Sequence, residues 1–157
     1  MAGINVTANT PKINFANGDT NTTKILLQIA APTNQRLKIK RWGVFFNEET
    51  GDSTPATPFV INIGKHTAST GGTALTLVKN SIGSETLQST ALHTLTTSTL
   101  STLDSAMVNA QTGYEVIYPL GDEIIIQGGE KFGIEATSGG TVSTGGVDVI
   151  VKVWYEE

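Results

Sequence analysis

The sequence predicts an all-β protein: an antiparallel, jelly-roll-like β-sandwich of about eight or nine strands with a polar N-terminal arm. Apolar and polar residues alternate along most of the chain, which is typical of strands that bury one face. Clusters of Gly, Pro, Asn and Asp interrupt the runs roughly every 8–15 residues. That spacing indicates a sandwich or barrel rather than βαβ units. Strand-favouring β-branched residues dominate the runs.

The chain has 157 residues, a length typical of one domain that needs no disulfide to hold its core. Residues 1–22 are polar and contain Pro11 and the turn pair Asn17-Gly18. This opening predicts an arm or a loosely attached first strand. We therefore expect an N-terminal arm at 1–22 and a β-sandwich domain at 23–157.

The first strands of the domain are expected between residues 23 and 79. The run TKILLQIAAP at 23–32 ends at Pro32, and the run at 35–46 alternates. In that second run, strict alternation places Leu37, Ile39, Arg41, Gly43 and Phe45 on one face and Lys38, Lys40, Trp42, Val44 and Phe46 on the other. The next two strands are predicted to turn inward Phe59, Ile61 and Ile63, then Leu75 and Leu77.

Four later runs complete the predicted sheets: GYEVIYP, DEIIIQ, EKFGIEAT and GVDVIVKVWYEE. Ile134 is expected on a core face. On the last strand the inward residues are predicted to be Val147, Val149, Val151, Val153 and Tyr155, with Trp154 on the opposite face. The best helix candidate is residues 101–110, one or two turns capped at Ser101.

The segment at 84–107 is rich in Ser and Thr and contains no Lys, Arg, Gly or Pro. Its alternation puts Ala91, His93 and Leu95 on one face and Leu92 and Thr94 on the other, so neither face is strongly apolar. Such a strand suits an edge, and edges without charged protection invite pairing. We expect a neighbouring subunit or larger assembly to cover it; the alternative is coverage by the domain's own loops.

Composition argues against several classes of partner. The formal net charge is −4 and charged residues make up 15% of the chain, whereas phosphate backbones are bound by clustered Lys and Arg. Apolar runs fall short of the roughly 20 residues of a membrane span, and the N-terminus lacks the basic start and apolar stretch of a secretory signal. We expect no nucleic acid partner, no membrane partner and synthesis in a cytoplasm.

Residues that could support catalysis or bind metal do not form a recognised motif. There is no Cys, and His66 and His93 lack acidic or His neighbours at the spacing of metal ligands. No G-x-S-x-G or phosphate-loop motif occurs. The acidic residues that could form a carboxylate pair lie mainly in predicted turns or near the end of the chain: Glu48, Glu49, Asp52, Asp122, Glu156 and Glu157.

Two sequence patterns weakly indicate a binding site. Lys38, Lys40 and Trp42 would share a strand face and weakly match a groove for single-stranded nucleic acid, but a solvated or subunit-contacting face explains them better. The loop NEETGD at 47–52 could offer oxygen ligands to calcium but lacks the EF-hand spacing. The sequence therefore predicts a protein that is not an enzyme, with no catalytic, cofactor-binding or metal-binding residues and no cofactor.

Four segments in this order resemble small structural proteins of tailed bacteriophages: KILLQIAAPTNQRLKIKRWGVFFN, TPFVINIGKHTASTGGTALTLVK, YEVIYPLGDEIIIQGGEKFGIEAT and GVDVIVKVWYEE. Within that class the chain is most similar to capsid decoration, or cement, proteins. The resemblance implies a homotrimer made in the host cytoplasm that binds the major capsid protein on the outer capsid surface of the virion and stabilises the head.

The resemblance to virion proteins leaves a second function open. A tail, neck or fibre-associated β-sandwich would bind a receptor or carbohydrate instead. Sugar binding predicts an exposed aromatic platform that involves Trp42 or Trp154.

Overall fold

The fold is an antiparallel, all-β sandwich, as predicted. The computed structural model describes residues 3–48, 57–80, 85–111, 113–142 and 145–157. Within these ranges there is no helix, and 13 strands are formed. The strands are β1 (Asn5–Asn9), β2 (Ile13–Phe15), β3 (Thr23–Ala30), β4 (Leu37–Glu48), β5 (Pro58–Thr70), β6 (Thr73–Leu75), β7 (Val78–Lys79), β8 (Thr90–Leu95), β9 (Thr97–Asn109), β10 (Tyr114–Ile117), β11 (Ile124–Ile126), β12 (Lys131–Ser138) and β13 (Val147–Glu156).

The strands form two sheets. The seven-stranded sheet has the order β10-β4-β13-β1-β7, with β11 paired to β4 and β2 paired to β13. The six-stranded sheet has the order β6-β8-β3-β12-β5-β9. The strand number exceeds the predicted eight or nine because several pairings are short: β2, β6 and β11 have 3 residues each and β7 has 2.

The core contains the inward faces predicted for the longest strands. Ile134 is fully buried on β12. On β13 and β5 every predicted inward side chain is at most 1% exposed: Val147, Val149, Val151, Val153, Tyr155, Phe59, Ile61 and Ile63. Leu75 and Leu77 are only partly buried against this core. Strict alternation therefore holds for the predicted inward residues of β5 and β13.

The described part of residues 1–22 is not an arm; it matches the other prediction for this opening, a first strand attached to the domain. β1 pairs with β13 from Asn5 opposite Glu156 to Asn9 opposite Lys152, and β2 pairs with the start of the same strand. The buried side chains of the segment are Val6, Ala8, Ile13 and Phe15. The segment is part of the sandwich because its few apolar residues alternate with the polar ones that dominate its composition.

Strict alternation is wrong for β4. The register between β4 and β13 shifts between Trp154 and Tyr155, so that Trp154 faces Arg41 while Tyr155 faces Ile39. This β-bulge changes the face of every later residue. Ile39 is buried as predicted, but Trp42 and Val44 are buried too, while Phe45 is 37% exposed.

The segment at 84–107, of which Ser84 lies outside the described residues, forms two strands rather than one. β8 lies inside the six-stranded sheet between β6 and β3, whereas β9 lies at its edge. The helix predicted at 101–110 is wrong, since β9 pairs with β5 along its whole length. Hydrogen bonding to the neighbouring strand outweighs the local preference of these residues.

Candidate functional site

The edge strand β9 is long and mostly exposed. It has 13 residues and pairs on one side only, with β5. It contains no Lys, Arg, Gly or Pro, and Asp104 is its single charged residue. Two of its apolar side chains, Leu103 and Met107, are 62% and 76% exposed. An open edge of this length offers unpaired backbone groups to another strand.

Exposed apolar side chains also occur on and just after β10, an edge strand of the other sheet. β10 follows β9 closely in the chain and is the edge strand beside β4. Burial raises the pKa of Tyr118, the hydrogen bond from Trp42 lowers it, and the Asp104 carboxylate of β9 adds to the increase. We call Leu103, Met107, Ile117 and Leu120 the edge patch; the last two are 64% and 95% exposed.

Lys40, one of the two basic residues predicted to share a face with Trp42, is engaged in an ion pair, because its Nζ lies 2.6 Å from the Glu156 carboxylate. Arg41, which was predicted on the opposite face, lies 2.6 Å from Glu115. Trp42 is 1% exposed and donates a 3.0 Å hydrogen bond from Nε1 to the Tyr118 hydroxyl. A groove that combines Lys38, Lys40 and Trp42 is therefore not formed.

The aromatic platform expected for sugar binding does not use Trp42, because that ring is in the core. Trp154 is partly buried, and the Arg41 guanidinium lies 4.3 Å from its ring centroid. A cation at this distance interacts favourably with the ring face. That face is therefore occupied by a side chain of the same protein.

The two histidines have different environments. His93 Nδ1 is 2.9 Å from the hydroxyl of its neighbour Thr94. His66 is 2% exposed and lies between Gln28, 2.9 Å from Nδ1, and Glu135, 3.2 Å from Nε2. Ser98 also donates a hydrogen bond to the Glu135 carboxylate.

The association of His66, Glu135 and Ser98 was missed from the sequence. Its only signals were polar residues that interrupt apolar runs, such as Gln28 in KILLQIA. The arrangement is not that of a hydrolase, because the Ser98 hydroxyl contacts the carboxylate rather than the imidazole that would deprotonate it.

Cavities of the described structure lie away from this cluster. One of about 720 Å³ lies beside Arg36, Gln88 and Glu157, and Glu157 there accepts hydrogen bonds from the backbone of Gln88 and Ser89. A second, of about 580 Å³, is lined mainly by apolar side chains such as Leu75 and Leu87. Neither adjoins His66.

Metal-binding groups are likewise dispersed in the parts of the chain that the structure describes. There, no three His, Asp or Glu side chains are grouped so that they could hold an ion. Glu49 and Asp52 of the predicted calcium loop lie outside the described residues.

No protein-family model and no curated protein matches this chain. Among the described residues, no helix is both long and apolar enough to cross a membrane.

Proposed function

We propose that this protein is a non-enzymatic structural component of a bacteriophage virion, a head decoration protein that binds the major capsid protein on the outer capsid surface as a homotrimer. The observation that carries the proposal is the open edge of β9 with the edge patch beside it. The sequence resemblance to phage structural proteins supplies the class, and the edge supplies a surface for other protein subunits.

The edges of the two sheets are not equivalent, and the difference favours β9 as the contact surface. β6 and β7 have 3 and 2 residues, and β7 ends in Lys79. β10 has 4 residues, and its Glu115 is paired with Arg41. Short strands and charges are the usual protection of an edge. β9 is the long edge, and Asp104 is its single charged residue, so an unpartnered copy would risk uncontrolled association.

Strand addition and multivalency explain how such a protein would attach. A strand of a neighbouring subunit that pairs with β9 would satisfy its free backbone groups, while pockets for alternate side chains add specificity. A trimer that engages three equivalent capsid sites gains affinity from effective concentration, by about 10²–10⁴-fold over one contact. This function requires no catalytic group.

A pair of variants tests the contact surface. Met107→Lys places a charge on the edge patch, while Val78→Lys, at a side chain that is 57% exposed on β7, is the matched control. Sedimentation should show a species of three times the 16.5 kDa chain mass for the native and Val78→Lys proteins, and monomer for Met107→Lys. Trimers that survive Met107→Lys but not Val78→Lys would refute the assignment of the surface.

The virion role has its own test. An antibody against the chain should label the outer head surface of virions that contain it, and stripped heads should lose heat resistance that the added protein restores. Label confined to the neck or tail would refute head decoration, and absence of the chain from virions would refute the class.

A further inference from the structure

A continuous chain of hydrogen bonds joins four strands of the six-stranded sheet around His66. Every link is made by side chains, and every member has a partner on each side except at the two ends. The links run from Lys131 Nζ to Ser69 Oγ at 3.2 Å, Ser69 Oγ to Gln28 Oε1 at 3.4 Å, Gln28 Nε2 to His66 Nδ1 at 2.9 Å, His66 Nε2 to Glu135 Oε1 at 3.2 Å, and from Ser98 Oγ to the same carboxylate oxygen.

The Lys131 ammonium and the Glu135 carboxylate set the direction of every bond in this chain. A Lys ammonium can only donate, so Ser69 accepts from Lys131 and donates its own hydrogen to Gln28. An ionised carboxylate can only accept, so His66 carries its hydrogen on Nε2 toward Glu135. Nδ1 then accepts from the Gln28 amide. The two contacts therefore agree on the neutral Nε2–H tautomer of His66.

The chain of hydrogen bonds links β3 and β12 to a stretch of β5 and β9 that does not pair with either of them. β12 pairs with β5 only from Phe59 to Lys65. Beyond that point residues 66–70 of β5 and 97–100 of β9 pair with each other; we call these two stretches the ribbon. An isolated two-stranded ribbon is marginally stable in water. His66, Ser69 and Ser98 connect the ribbon to β3 and β12.

The backbone beneath the ribbon is shaped for this contact. The β5–β9 register shifts between Ile63 and Gly64 and again between His66 and Ala68, and such bulges bend a strand. A Cβ at Gly133 of β12 would collide with the His66 imidazole. Glycine at this position allows the ring to lie directly on the sheet.

We propose that His66, Glu135 and Ser98 form an acid-sensitive clasp, which holds the ribbon on the sheet at neutral pH and releases it when Glu135 takes up a proton from water. Both donors, His66 Nε2–H and the Ser98 hydroxyl, contact the same carboxylate oxygen, Oε1. A proton on Glu135 removes the negative charge that makes these two bonds charge-assisted, and it therefore weakens both of them.

The charged groups around the clasp are few. On β12 and just before it, Lys131 bonds Ser69, and Glu130 is paired with Lys65 of β5. On β3, Lys24 is paired with Asp19 at 3.3 Å. The β9 half of the ribbon contributes only uncharged residues, Thr97 to Leu100. Glu135 is therefore the acidic group in direct contact with His66.

The sign of the effect follows from the environment of the carboxylate. The hydrogen bond from His66 lowers the pKa of Glu135 below its ordinary 4.5; burial opposes this shift and the bond from Ser98 adds to it. A pKa that is lower in the folded than in the unfolded state stabilises the clasp above the unfolded value. That stabilisation is lost as the pH falls through the lowered folded value.

Hydrogen exchange measured residue by residue tests the clasp, with the amides of β13 as the reference at each pH. Between about pH 7 and about pH 3 the ribbon amides should lose protection relative to β13, by up to about tenfold for each pH unit between the ordinary pKa of an open carboxyl group and the lowered folded pKa. Glu135→Gln should expose the ribbon already at pH 7 and remove the pH dependence. Glu123→Gln changes a carboxylate whose hydrogen bond comes from the Gly121 backbone rather than from the ribbon, and it should behave as the native protein.

Two results would overturn the proposal. One is a ratio of ribbon to β13 exchange that stays constant with pH in the native protein. The other, which needs no variant, is a nitrogen NMR spectrum at pH 7 in which His66 carries its hydrogen on Nδ1 or is doubly protonated. Observation of the Nε2–H tautomer together with acid-dependent ribbon exchange would support the clasp even if Glu135→Gln failed to fold.

Discussion

Phe15→Ala is expected to lower the free energy of unfolding by about 3–5 kcal/mol, the cost of removing a buried aromatic ring. Phe15 is fully buried on β2. Its ring packs edge-on against Phe59, with centroids 4.9 Å apart and planes at 74°, and such a pair adds about 0.5–1.5 kcal/mol to simple burial. Because a domain has only about 5–15 kcal/mol of stability, the variant should be close to unfolding.

Urea unfolding followed by tryptophan fluorescence measures this loss, since Trp42 lies in the core and should respond to unfolding. Asn9→Ala is the matched control, because Asn9 lies on β1 of the same segment but is exposed. A surface substitution of this kind changes stability by about 0.5 kcal/mol or less. The midpoint should therefore move for Phe15→Ala and stay for Asn9→Ala.

Deletion of residues 1–22 tests the same segment, because a detached arm could be removed without loss of the fold. The deletion removes three large buried side chains, Val6, Ile13 and Phe15, each of which contributes about 1.5–3 kcal/mol by burial. The shortened chain should not fold. A folded deletion product, or a loss under 1 kcal/mol for Phe15→Ala, would refute the placement of this segment in the core.

Three further variants probe the core and its polar groups. Ile134→Asp should abolish folding because it places a charge at a fully buried site; a soluble, cooperatively unfolding variant would contradict the burial. Trp42→Phe removes the indole donor to Tyr118 and should cost about 1–3 kcal/mol in urea unfolding, whereas an unchanged midpoint would contradict that bond. Burial raises the pKa of Tyr155 to about 12, and the hydrogen bond with Ser89 opposes this shift. The free energy of unfolding should therefore fall between about pH 10 and 12, by about 2–3 kcal/mol in all. Tyr155→Phe should show a smaller loss over the same pH range.

The central strands could be predicted from the sequence because one physical signal dominates them. On β13 each second residue is apolar and lies against the other sheet, so burial alone sets the register. Residues 1–22 could be predicted only as an arm or a loosely attached strand because alternation there is short: Val6 and Ala8, then Ile13 and Phe15, carry it. Pairing with β13 supplies the hydrogen bonds that composition could not indicate.

β9, in contrast to β13, could not be predicted as one strand from the local sequence. Its residues are mostly small and exposed, so neither face carries a strong apolar signal, and the local pattern at 101–110 also fits a short helix. The strand exists because β5 pairs with it from Pro58 opposite Asn109 to Thr70 opposite Thr97. Partners this distant along the chain leave no mark on the local sequence.

The contact between His66 and Glu135 could not be predicted either, because it depends on register shifts between paired strands. His66 lies at a register shift between β5 and β9, and Glu135 lies at one between β12 and β3. The residues without a regular partner at these shifts are Thr67 and Leu26, whereas His66 pairs with Leu100 and Glu135 with Ile25. Each bulge changes the face of the residues beyond it. The two shifts lie in the strands on either side of β12, so the period of two fails where the buried imidazole reaches the carboxylate. Restoring regular alternation at either bulge should therefore separate His66 from Glu135.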